Sequence, residues 1–139
     1  MHLLYQTATF SLSHDPVHNW LYSQWTGISP AELAQAECEI ILAYVQRLKS
    51  TKLLNNGLAD ENGWASISGW VAESFIQRLA QEGIVAIAWV QPIHSHALHS
   101  MQRVLHRLQA FETRQPLLDV FMDVESAYAW LAQWPENGK

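Results

Sequence analysis

Charge is scarce in this chain. Lysine, arginine, aspartate and glutamate make up 15% of its 139 residues, well under the roughly 25% of an ordinary soluble domain, so the surface has few charges with which to cover itself. The basic residues are scattered from Arg47 to Lys139 without forming a run, and the net charge is −5. Nothing in that pattern tracks a phosphate backbone, and no nucleic-acid partner is expected. The longest apolar run, IVAIAWV at 84–90, falls far short of the roughly 20 residues that cross a bilayer. The opening MHLLYQTATFSLSHD lacks a basic region followed by an apolar one, so a soluble, cytoplasmic protein with no membrane partner is expected. Cysteine occurs once, at Cys38, inside a helical pattern; no bridge can form within the chain, and a buried, inert thiol follows. A glycine-rich phosphate loop and a G-x-S-x-G elbow are also missing, and no serine has a recognisable base-and-orienter set, which removes the familiar routes to nucleotide chemistry and nucleophilic catalysis. No cofactor is implied.

What is present is apolar and aromatic: 49% hydrophobic residues, with seven tryptophans. Such a composition suits a subunit whose apolar surface is partly hidden by a copy of itself, and a homodimer is expected; a small protein with serine, threonine, glutamine and histidine on its surface is the plainer alternative. The length fits one domain, placed at residues 1–134, with 135–139 as a tail.

Alternation over residues 3–12 (Leu4, Ala8, Phe10 and Leu12 on one side) predicts a half-buried strand. SHDP turns the chain, and the aromatic HNWLYSQWTG predicts a second strand pairing with the first as an antiparallel hairpin. In SPAE, Ser29 can cap a helix, Pro30 fits its first position and Glu32 can reach back to the cap. Leu33, Ala36, Ile40, Ile41, Tyr44, Val45 and Leu48 then repeat at helical spacing up to about Lys49. A short strand KLLNN follows, then a loop through Gly57, Asp60, Asn62 and Gly63. The next helix runs from about Trp64 or Ser66 to Glu82, with Ile67, Val71, Phe75 and Leu79 inward and Gly83 as its left-handed cap. IVAIAWV is apolar at both parities, the pattern of a strand covered on both faces. A helix over about 95–111, a strand QPLLDVFMD and a short helix capped by Asp123 complete the order β-β-α-β-α-β-α-β-α: an α/β domain whose mixed, mostly parallel sheet begins with an antiparallel hairpin.

With that order, KLLNN, the Trp-led helix, GIVAIAWVQP and LDVFMDVESAYAWL resemble the SpoIIAA-like, or STAS, fold, and most closely a group of small bacterial STAS-like proteins common in Bacteroidetes. The resemblance covers nearly the whole chain and implies a non-catalytic regulatory or protein-interaction module with a protein partner. Anti-sigma-factor antagonists of this fold carry a phosphorylatable serine in an Asp-Ser-Ser/Thr-Gly-like motif after the third strand. The corresponding NNGLADENGWASIS has no Asp-Ser pair, so neither Ser66 nor Ser68 is assigned that role.

Residues 55–68 are the first candidate site. Asn55 and Asn56 stand at a strand's carboxyl end, and Asn62, Trp64 and Ser66 lead into a helix start, where free N–H groups suit a partner or small ligand. The competing explanation is that the asparagines serve turn backbone and Ser66 caps the helix. HSHALH is the second candidate: His94 precedes the helix, while His96 and His99 share a helical face and can bring two imidazoles to one metal, but third and fourth ligands are missing, and a solvated His–Arg–His stripe through Arg103 and His106 accounts for the pattern. Trp20, Tyr22, Trp25, Trp64 and Trp70 can fill the core, face a second subunit, or line the pocket of a small-molecule-binding or enzymatic domain, the alternative from another class.

Overall fold

Among the described residues, six strands and four helices follow the order β-β-β-α-β-α-β-α-β-α. The computed structural model describes residues 1–61, 67–92, 96–109 and 115–135. The strands are β1 His2–Gln6, β2 Phe10–Asp15, β3 Trp20–Gly27, β4 Lys52–Asp60, β5 Ala86–Val90 and β6 Leu117–Phe121. Helix α1 is Ala31–Leu48, α3 is His96–Leu108 and α4 is Val124–Ala132. Helix α2 runs through Ser68–Trp70, a π-helical turn Val71–Phe75 and Ile76–Gln81. Among the described residues no helix is long and apolar enough to cross a membrane.

The order corrects the sequence expectation by one strand. Residues 3–12 form two strands, because the chain turns at 7–9: the Thr7 N–H donates to Phe10 O at 2.7 Å and the Thr9 N–H to Thr7 Oγ1 at 3.3 Å. Alternation passes through that turn unbroken, so the pattern conceals it. The antiparallel part is a three-stranded meander, with β1 on β2 and β2 on β3, and β3, β4, β5 and β6 continue in parallel.

The strands lie side by side in chain order. Right-handed crossovers that advance in one direction leave their helices on one face, and the core shows it. Leu12, Leu21, Leu53 and Ile87 of the sheet pack with Cys38 and Ile41 of α1, Val71 and Phe75 of α2 and Val104 of α3. On the opposite face Trp20, Leu54, Ala88 and Val90 pack against Ala127 and Leu131 of α4. Every residue of β5 is buried, as expected for its doubly apolar pattern.

Helix α1 turns inward a face rotated from the expected one: Ile41 and Val45 are buried and Ile40, Tyr44 and Leu48 pack partly on the core as expected, but Leu33 and Ala36 do not. Ala34, Glu37, Cys38, Ile41, Leu42 and Val45 are buried, while Leu33 is 39% exposed and Ala36 is exposed. Pro30, not Ser29, takes the N-cap position, and Lys49 closes the helix in the left-handed region at φ 57°. Cys38 is fully buried, and burial pushes its thiol well above the usual value, with Glu37 and Glu39 adding to the effect. The expected cap of α4 is present: the Asp123 side chain accepts the Ser126 N–H at 2.7 Å.

At the amino ends of the parallel strands, side chains hold two helix ends. Asn19, in the β2–β3 turn at φ 61°, donates its amide to Leu48 O at 2.9 Å and Lys49 O at 3.2 Å. Lys52, 1% exposed, donates its ammonium to Leu131 O at 2.6 Å and Trp134 O at 2.5 Å at the end of α4, and lies 4.9 Å from the Trp20 ring centroid. Cations and amides are favoured there because the last carbonyls of a helix lack intrahelical donors. Asp15 joins the same end: its carboxylate accepts the Tyr128 hydroxyl, His18 Nδ1 at 2.9 Å and the Val17 N–H at 2.9 Å. Burial alone would raise the Asp15 pKa, but these hydrogen bonds outweigh it and bring the value down to about 2.

Candidate functional site at the carboxyl end of the sheet

Strand β4 runs beyond its expected end. Residues 57–60, expected as a loop, continue the strand, because β3 offers them a partner: Gln24 pairs with Asn56, then Thr26 with Ala59 and Gly27 with Asp60. Between the first two pairs β4 advances by three residues while β3 advances by two, the signature of a bulge. Gly57 lies in it. A Cβ built on Gly57 would stand 2.2 Å from Gln91 Nε2, so the missing side chain is what lets the Gln91 amide lie against the bulge.

Asn55 and Asn56 therefore sit in a central strand, 2% and 6% exposed, and both bond side chains, Asn56 also accepting a backbone N–H two residues on. The pleat sends them to opposite faces. Asn56 Nδ2 donates to the Tyr22 hydroxyl at 2.7 Å, and its Oδ1 accepts the Leu58 N–H at 3.0 Å. On the three-helix face, Asn55 Oδ1 accepts Trp25 Nε1–H at 2.6 Å and the Ser23 hydroxyl at 2.7 Å. An indole N–H can only donate, so it fixes which end of the Asn55 amide is oxygen. Nδ2 is left buried, with no partner among the described residues. Gln91, 3% exposed, likewise has a buried Oε1 without a partner.

Two more such atoms, Thr9 Oγ1 and Glu37 Oε1, belong to this end of the molecule. Thr9 is in the β1–β2 turn, whose carbonyl accepts the Thr26 N–H at the end of β3; Thr7 in that turn donates its hydroxyl to Glu37 Oε2 at 3.2 Å. Exposed apolar side chains also stand at this end: Ile28 just after β3 (66% exposed), Leu58 in β4 (42%) and Met122 just after β6 (64%).

Of the residues singled out from the sequence, Asn55 and Asn56 are at this end; Asn62, Trp64 and Ser66 lie outside the described residues, and so do His94 and the side chain of His96. Ser68 is buried in the first turn of α2. His99, in α3, is exposed. Among the described residues no three His, Cys, Asp or Glu side chains are grouped to hold a metal. The aromatics divide between the faces: Trp25 packs on the three-helix side, Trp20 and Tyr22 on the α4 side, and Trp70 stacks on Phe75 at 6.1 Å between centroids. Sequence reasoning missed Glu37 and Gln91. Glu37 was legible as a carboxylate three residues after Ala34 and four before Ile41, inside a helical stripe; Gln91 gave no signal.

The strand order contains no reversal, so the crevice that a topological switch point opens in doubly wound sheets does not arise, and the site rests on its side chains alone. Comparison with protein-family models, curated proteins and solved structures finds no match for the chain.

Proposed function

We propose that this α/β chain is a non-catalytic regulatory or protein-interaction module of the SpoIIAA-like, STAS, kind, acting as a cytoplasmic homodimer and engaging a protein partner through the carboxyl end of its sheet, around Asn55, Asn56 and the segment bearing Asn62, Trp64 and Ser66. The observation that carries this reading is the exposure of Ile28, Leu58 and Met122 at that end, on a chain with few charges. Apolar side chains gathered on a surface mark places where another protein sits. The alternating parallel strands and helices and the fully buried β5 support this reading, while the third antiparallel strand at the start departs from the order on which the resemblance rests.

The test is affinity capture from an extract of the source cells, using the wild type, the double variant Ile28→Asp/Leu58→Asp and, at the other end of the sheet, Val17→Asp. A specific partner should be retained by the wild type and Val17→Asp and lost by the double variant; equal capture by all three removes the reading. Light scattering tests the dimer, because a persistent monomer of 15.8 kDa at high concentration excludes it.

A second reading, a small-molecule-binding domain, draws on Asn55 Nδ2 in β4 and Gln91 Oε1 just after β5, a donor and an acceptor buried without partners among the described residues. A metabolite retained in native mass spectrometry, and lost on Asn55→Leu, would favour it over the first.

A further inference from the structure

Glu37 stands on the core side of α1 with 1% of its surface exposed, among Ala34, Cys38 and Ile41. Its Oε2 accepts one hydrogen bond, from Thr7 Oγ1 at 3.2 Å, and its Oε1 has no partner among the described residues. A carboxylate in apolar surroundings needs a cation or several donors to stay ionised. Among the described residues the titratable neighbours offer neither: α1 contributes the Cys38 thiol and Glu39, whose carboxylate is held by Arg78 of α2 on the exposed side, α2 adds Glu73, paired with Arg107, and β1 contributes Tyr5, packed at the edge of the core. The titratable side chains of β2, His14 and Asp15, are bonded to Asn19 and to His18 and Tyr128 at the far end of the sheet. A proton requires no cavity and discharges the group.

The element tied to Glu37 is an edge strand. Strand β1 is five residues long, pairs with β2 alone, and has a break in register between Leu3 and Tyr5. A short edge strand with a break in its register opens locally at low cost. Its ties to α1 include the Thr7–Glu37 bond and the Tyr44 hydroxyl on Leu4 O at 3.3 Å.

We propose that Glu37 is a proton-operated latch on the amino-terminal edge strand: while the carboxyl keeps its proton, β1 and the Thr7–Thr9 turn stay docked on α1, and on losing it the strand lifts and bares the edge of β2. Burial raises the Glu37 pKa above its ordinary value of 4.5, against the smaller opposing effect of the Thr7 hydroxyl. The stability from the held proton is therefore complete below the unfolded value and is lost as pH climbs through the raised one. This device rests on Glu37 and β1 and does not require the proposed partner.

Hydrogen exchange of the amides of residues 2–6, corrected for intrinsic rates and followed from pH 4 to pH 9, tests it. From the ordinary carboxyl value up to the raised one, wild-type protection should fall about tenfold per pH unit and then level off, with its midpoint between the two, and Glu37→Gln should remove the fall. Thr7→Val, which takes away the donor to the carboxylate, should move the midpoint to higher pH. Wild-type protection independent of pH, a fall that persists in Glu37→Gln, or a midpoint unmoved by Thr7→Val overturns the latch.

Discussion

Asn19 and Asn55 occupy opposite ends of the same sheet and end in opposite states. Asn19 gives its amide hydrogens to two carbonyls at the close of α1 and its oxygen to His14 and Ser50. Asn55 fills its oxygen with Trp25 and Ser23 and leaves its amide hydrogens without an acceptor among the described residues. The contrast extends to their surroundings. At the amino end Lys52 and Asp15 complete the close of α4 and the β2–β3 turn, with the Trp134 indole N–H as the exception. The carboxyl end keeps Asn55 Nδ2, Gln91 Oε1, Thr9 Oγ1 and Glu37 Oε1 unmet. Leaving a buried polar atom unmet costs on the order of 1–3 kcal/mol, whereas a completed hydrogen bond contributes roughly 1. One end of the sheet therefore closes its helix and turn ends with its own side chains, and the other keeps buried polar atoms that no described residue meets.

Substitutions at the two ends should separate these roles. Lys52→Met keeps the aliphatic stem and removes the ammonium from the end of α4; a loss of about 2–4 kcal/mol in urea unfolding is expected, and a loss no larger than that of a surface control would erase the contrast. Asp15→Asn should cost about 2 kcal/mol at neutral pH. Because the Asp15 pKa is lowered from 3.8 to about 2, its contribution is present above the unfolded value and lost as pH falls toward 2, so wild type and variant should converge in acid. Parallel curves from pH 7 to pH 2 would show that the carboxylate is not held as described. At the other end, Gln91→Met replaces a buried amide having an unmet oxygen by an unbranched apolar chain. Stability should stay within about 1 kcal/mol of wild type or rise, a response opposite in kind to that of Lys52→Met. A loss as large as that of Lys52→Met would mean that the carboxyl end is structural as well.

Several elements were legible because their signals are local. IVAIAWV is apolar at both parities, and β5 is buried on both faces for that reason; Asp123, three residues before Ser126, caps α4. Where neighbours decide, the pattern misleads. Gly-Leu-Ala-Asp at 57–60 reads as a turn, yet β3 supplies a partner and the strand continues. The turn at 7–9 is invisible in an alternation that runs straight through it. The inward side of α1 is shifted from the apolar residues most prominent in the sequence, which brings Glu37 under the sheet and leaves Leu33 at the surface.

Hydrophobic parity and capping residues, acting over a few positions, were enough to determine a mostly parallel α/β arrangement around β5. Tertiary structure alone decided that three helices share one face, that β4 bulges at Gly57, and that Asn19 is satisfied while Asn55 and Glu37 are not. Those outcomes depend on donors and acceptors brought together from distant parts of the chain, and a residue's type states what it can bond without stating what will be there to meet it.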